Sequence, residues 1–151
     1  MNPAPVIRGS LFLISYMTDR KPYSLGKSER LKSRKQIDHL FDSGKKITQF
    51  PFRVLFRTEP GPGEIKAGFT VSSKNFPNAV DRNRIKRLTR EAYRLQKKDL
   101  EAGVLTNSTR LHLFFIYTGR EIVSLQEISL RLQQILDKLI RIINEASAPG
   151  T

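Results

Sequence analysis

Between positions 79 and 94 the chain sets Arg82, Arg84, Lys86, Arg87, Arg90 and Arg94 around Asn83. A guanidinium forks onto phosphate oxygens through two N–H donors, and an asparagine amide both donates and accepts, so this set suits grip on a phosphate backbone rather than bond-making. On a helical wheel Ile85, Leu88, Ala92 and Leu95 form an apolar stripe. Arg82, Asn83, Lys86, Arg87, Arg90 and Arg94 occupy a separate arc, and Arg84 stands near the far apolar boundary. Arg82, Lys86, Arg90 and Arg94 recur every four residues, so each repels the next in an isolated helix, with partial relief from Glu91. That local cost implies an external anion.

The rest of the chain supplies little that could break or make a covalent bond. There is no Cys, which removes disulfides, thiolate metal sites and cysteine nucleophiles, and only His39 and His112 could serve as imidazoles. Both read as packing or surface residues. Across 151 residues, 27 Lys and Arg face 14 Asp and Glu, for a net charge of +13. Such an excess favours a polyanionic partner, because phosphate neutralisation releases condensed counterions. The excess is concentrated: residues 1–57 hold 12 basic and 4 acidic side chains, residues 74–98 hold 9 and 2, and residues 99–151 hold 5 and 6. Nucleic acid is the leading partner class, and the last third reads as structural support.

The elements that must position these cations can be read from pattern. Ser33 is an N-cap with Gln36 as its capping-box partner, and Ser43-Gly44 ends a first helix that turns Ile37, Leu40 and Phe41 inward. Residues 50–58 alternate as a strand, with Phe50, Phe52, Val54 and Phe56 on one face and Arg53, Leu55 and Arg57 on the other. The turn Pro60-Gly61-Pro62-Gly63 leads to a second strand over 65–73, predicting a hairpin, and Gly68 within it signals a bulge or a close backbone approach. The basic helix spans 78–98. Residues 111–118 are almost continuously apolar, the pattern of a strand covered on both faces. Ser124 and Glu127 form a capping box for a long helix carrying Leu125, Ile128, Leu132, Ile135, Leu136, Leu139 and Ile143 inward.

Residues 27–146 therefore read as one nucleic-acid-binding α/β domain, preceded by a disordered extension over 1–26 and followed by a flexible tail over 147–151. The apolar run Leu11-Phe12-Leu13-Ile14 is too short to span a membrane and lacks the small-residue cleavage site of a secretory signal. A start at Met17 stays open. The expected location is cytoplasmic, with no membrane partner.

The run Ala79-Val80-Asp81-Arg82-Asn83-Arg84-Ile85-Lys86-Arg87-Leu88-Thr89-Arg90-Glu91-Ala92-Tyr93-Arg94 closely resembles the arginine-rich motif of the bacterial ribonuclease P protein component. It follows a strand ending Gly68-Phe69-Thr70-Val71-Ser72-Ser73-Lys74, as in that family, and the resemblance runs from about Ser28 to Ile143, including Arg30-Leu31-Lys32. It implies an α+β fold: a small two-layer α/β sandwich with a mainly antiparallel sheet, about three helices and a left-handed βαβ crossover, an exception to the usual hand. It also implies a protein subunit of ribonuclease P, one per RNA. That subunit would bind the catalytic RNA and the single-stranded 5′ leader of precursor tRNA, promoting endonucleolytic maturation of the tRNA 5′ end. The RNA would carry the hydrolysis with its associated magnesium, with no protein-bound organic cofactor and no catalytic residue on the protein.

Carried over by position, Arg82, Asn83, Arg84, Lys86, Arg87, Arg90 and Arg94 match the RNA-binding motif, and Phe41, Phe52, Arg53, Phe56 and Lys74 match regions that shape the leader cleft. Two features depart from the family pattern. Phe76-Pro77-Asn78 replaces a glycine-containing turn, and Asp81 replaces a common basic residue. Asp81 suits either the positive end of the helix dipole or a hydrated metal ion, so a protein-side metal site stays open. The main alternative is a noncatalytic ribosomal or other structured-RNA-binding protein. A DNA-binding helix and a membrane-surface helix fit less well, lacking helix-turn-helix spacing and a broad apolar face respectively.

Overall fold

The computed structural model describes residues 26–146; the expectations for the extension and the tail fall on residues outside that range, apart from Gly26 itself. After a 3₁₀ turn at Lys27–Glu29 come α1 (Arg34–Ser43), β1 (Lys45–Gln49), β2 (Phe52–Pro60), β3 (Glu64–Val71), α2 (Ala79–Gln96), α3 (Lys98–Thr106), β4 (Thr109–Tyr117) and α4 (Leu125–Ala146). The N-cap serines read from sequence are in place, although the Glu127 carboxylate turns to Arg131 rather than back to Ser124. Ser33 Oγ accepts from the Gln36 amide at 3.3 Å, and Ser124 Oγ from the Glu127 amide at 3.2 Å.

The four strands form one mixed sheet in the order β1-β2-β4-β3. β1–β2 and β2–β4 are antiparallel, whereas β3 and β4 run parallel, connected through α2 and α3. The predicted hairpin between residues 50–58 and 65–73 does not form, because β4 lies between those strands. β4 is the most apolar strand, and the central position buries both of its faces. The actual hairpin joins β1 to β2. Phe50, expected on the strand face with Phe52, instead lies in the connecting turn and is exposed.

The fold is α+β, as expected, with α3 as a helix the sequence reading did not separate from α2. Lys97 between them keeps right-handed helical backbone angles. On one sheet face Val54, Phe56, Leu111, Leu113 and Phe115 pack against Ile85, Tyr93 and Leu100 and against the Ile128, Leu132, Ile135 and Leu139 stripe of α4. On the opposite face α1 packs together with the segment that precedes it, Leu40 joining Leu31, Leu55 and Phe114. Gly68 marks the close approach anticipated for it, in unbroken register with β4. A Cβ there would lie 2.7 Å from Phe114 Cδ1 and 3.2 Å from the Leu31 carbonyl oxygen.

Candidate nucleic-acid interface

α2 owes its direction to a buried side made of Ile85, Thr89, Ala92 and Tyr93. Thr89 is accommodated there because its hydroxyl donates to the Ile85 carbonyl at 2.8 Å. Leu95, expected in the stripe, is 48% exposed. The stripe rotates toward Tyr93 because that ring fills the space beside Phe69 and Phe115, with centroids 5.7 and 5.6 Å away.

The rotation leaves Asn83, Arg84, Arg87 and Arg90 exposed, with Lys86 half-buried. Among the described residues no carboxylate lies within 4 Å of Arg84, Lys86, Arg87 or Arg90, which keeps those cations available to an outside anion. Arg94 is engaged differently. Its Nε and Nη2 donate to the two Glu91 carboxylate oxygens at 3.1 and 2.6 Å, and that hydrogen bonding holds the Glu91 carboxyl below its ordinary pKa. Arg82 is also partly committed, because its Nη1 donates to the carbonyls of Phe76 and Pro77 at 2.8 and 2.7 Å.

Those two bonds account physically for the glycine-free turn before α2. Phe76 is buried against Tyr117, Asn75 Nδ2 donates to the Thr118 carbonyl at 3.1 Å, and Arg82 satisfies the carbonyls left pointing outward. The N-cap position belongs to Asn78, so Asp81 sits in the first turn, where its charge favours the helix dipole without capping it. Among the described residues no three His, Asp or Glu side chains come together to hold a metal.

The residues expected to shape a cleft divide between two faces. Phe52 and Phe56 are 1% and 3% exposed, and both belong to the main core. Neither can offer a ring face to a base. The reason is the two-residue period itself: Val54 packs against the helical layer, and Phe52 and Phe56 point the same way. The other face of β2 carries Arg53 and Leu55, whose β4 partners are Ile116 and Phe114. Continuing across the register, Thr48, Arg53, Ile116 and Thr70 form one row beside the α1 contact. Arg53 is exposed and Ile116 half-buried.

Phe41 closes one side of this row. It is 57% exposed at the last turn of α1, and its ring meets Phe114 edge-on, centroids 5.7 Å apart. The row ends at Thr70, one residue before the end of β3, and the loop that follows carries exposed Lys74 and leads directly into α2. Phe41 and Arg53 thus lie on the same sheet face as α1, and Lys74 lies in the loop between the end of the row and the arginine-rich helix. Ile116 and Thr70 were missed from sequence. The alternation Arg110, His112, Phe114, Ile116 along β4 was the available signal, masked by the apolar residues between them.

Among the described residues no helix is long and apolar enough to cross a membrane. The family model described as Ribonuclease P matches residues 25–143. The chain is 34% identical over 128 residues to a ribonuclease P protein component of Porphyromonas gingivalis, covering 82% of this chain and 91% of that one. It is 30% identical over 136 residues to the corresponding protein of Chlorobaculum tepidum, covering 82% and 88%. The solved structure of the RNase P protein from Thermotoga maritima superposes with a TM-score of 0.59 at 26% identity, covering 73% of this chain and 96% of that one.

Proposed function

Because the chain belongs to the family of ribonuclease P protein components, we propose that it is the protein subunit of a ribonuclease P that matures the 5′ end of tRNA. One copy binds the catalytic RNA through Asn83, Arg84, Lys86, Arg87 and Arg90, with Arg82 and Arg94 at the margins of the contact. The single-stranded leader of precursor tRNA lies along the row of Phe41, Arg53, Ile116 and Thr70 and passes Lys74.

The observation that carries this reading is the state of α2. One side is locked into the core, while Arg84, Lys86, Arg87 and Arg90 have no carboxylate partner within 4 Å among the described residues. Rigid attachment pre-pays the ordering of that helix, so its guanidinium groups meet an RNA surface in fixed register. The adjoining row supports a single strand in the usual way, with an aromatic face for a base and cations for the backbone.

Hydrolysis is assigned to the RNA subunit, which would hold the magnesium. What the chain supplies is binding and orientation.

Cleavage of precursor tRNA by a bacterial ribonuclease P RNA at low magnesium, with and without the protein, tests the assignment. Leader release at the mature 5′ end only when both are present is expected. Tight RNA binding with no stimulation of the cognate RNA would instead favour a noncatalytic RNA-binding protein.

A further inference from the structure

A second recess opens on the same sheet face, on the other side of α1 from Phe41. Arg57 of β2 and His112 of β4 are cross-strand partners, two residues along from the Leu55–Phe114 pair, and α1 adds Lys35 and His39 one turn apart. These four side chains, with Gln36 and Glu59, line a cavity of about 250 Å³. That exceeds many times a single water's share of liquid volume, about 30 Å³.

The charges around it are poorly matched from within. Arg57 Nη1 lies 2.6 Å from Nδ1 and 3.2 Å from Nε2 of His39, so it sits before the ring edge between the two nitrogens. Only an unprotonated ring nitrogen can meet a guanidinium. The nearest carboxylate, Glu59, is 3.9 Å from Arg57 Nη2 and is shared with Arg110 at 3.5 Å, while Arg110 is held at 2.8 Å by Glu64. Lys35 has no carboxylate within 4 Å among the described residues, and Lys66 adds a further cation as the β3 partner of His112.

We propose that this recess is a phosphate-binding site for RNA, separate from the row beside Phe41. A tetrahedral anion between Lys35 and Arg57 takes the guanidinium fork and the ammonium together. His112, whose ring lines the same recess, can donate to that anion as well, since an imidazolium is favoured beside an anion. The packing of Leu40 on Leu55 and Phe114 separates the recess from the Phe41 flank. The group bound is either the phosphomonoester at a strand's end or a backbone diester.

Imidazole proton–nitrogen spectra of the full chain, titrated with inorganic phosphate at ionic strength held constant with chloride, test this. Saturable shifts of both His39 and His112 are expected, with a Kd on the order of 1 mM. Arg57→Gln and Lys35→Gln should each weaken binding roughly tenfold, the loss of one charge-assisted contact, and Lys138→Gln on α4 should leave it unchanged. The backbone spectrum reports folding, and the exposed Lys35 variant keeps the test readable if Arg57→Gln unfolds. Equal responses to chloride and phosphate, or unchanged affinity in both variants, overturn the site. Short RNAs with and without a 5′-phosphate then separate the sources. A response only to the phosphorylated strand assigns the monoester, and equal responses assign the diester. Silence toward both RNAs marks an adventitious ion only and overturns the proposal.

Discussion

The ring of Phe41 stands edge-on to that of Phe114, centroids 5.7 Å apart and planes inclined by 69°. One member is mostly exposed and the other lies beneath α1 in the small core, so the pair joins the surface of the proposed leader row to the packing that holds α1 in place. Phe41→Ala should therefore weaken binding of a single-stranded leader by about 1–3 kcal/mol, the range of one lost base stack, and lower the stability only by the ~0.5–1.5 kcal/mol of one aromatic pair. Phe52→Ala should do the reverse, costing about 3–5 kcal/mol of stability because it empties a filled core position. Fluorescence anisotropy with a leader oligonucleotide, paired with urea melts, separates the two.

Double substitution of Arg87 and Arg90 by alanine should weaken binding of the RNA subunit and flatten its salt dependence by about two phosphate contacts. Arg94→Ala should flatten it less, because that guanidinium already forks onto Glu91. The slope of log K against log salt for the three proteins is the measurement. Equal slopes for wild type and the double variant would remove α2 from the contact.

Most of the helical framework was legible because its signals are local. The Ser33 and Ser124 hydroxyls cap the helices they begin, Gly44 ends the first through its backbone, and the α4 stripe from Ile128 to Ile143 is buried as its period predicts. Strand order was not legible, since the intervening β4 arrives after two further helices and nothing in the Pro60–Gly63 turn announces it. The faces of Phe52 and Phe56 were likewise ambiguous: alternation fixes which residues share a face, but the presence of helices on both sides of the sheet decides which face is open. Arg82 illustrates the remaining gap. Its carbonyl partners Phe76 and Pro77 are set by the loop's path rather than by helical spacing.

Gly68 faces Phe114 across the parallel β3–β4 pair, and an added Cβ would meet the ring at 2.7 and 2.9 Å. Gly68→Ala should destabilise the fold by about 1–3 kcal/mol, as overpacking of a filled site does. Pairing it with Phe114→Leu should recover part of that loss if the ring is the obstacle. A double-mutant cycle on urea midpoints reads the coupling, and strict additivity would point instead to the Leu31 carbonyl.

Lys97 is 4% exposed at the α2–α3 junction, with its ammonium on Glu29 and 3.5 Å from Glu101. Removing it takes the buried cation from between Glu29 and Glu101, so Lys97→Met should destabilise by about 3–5 kcal/mol. Burial raises the Glu101 carboxyl pKa, with Lys97 opposing that shift. In the Lys97 variant most of the opposition is gone, Lys98 alone remaining, and Glu101→Gln added to it should recover part of the stability near neutral pH. Thermal melts of the single and double variants check the order.

His112 supplies the pH dependence. Burial lowers its pKa from the ordinary 6.5, with Lys66 and Arg110 adding to the fall and Glu59 and Glu64 opposing it. A depressed folded-state value means the neutral ring is favoured on folding, so its stabilising contribution is complete above the unfolded pKa. It is lost as pH falls through the folded-state value. The urea midpoint should thus decline as pH drops below 6.5, and His112→Gln should flatten that part of the profile while leaving the midpoint near pH 8, about 1.5 units higher, little changed. Phosphate bound between Lys35 and Arg57 should oppose the decline in wild type by stabilising the protonated His112 ring. A variant profile parallel to wild type across this window would shift the acid sensitivity away from His112.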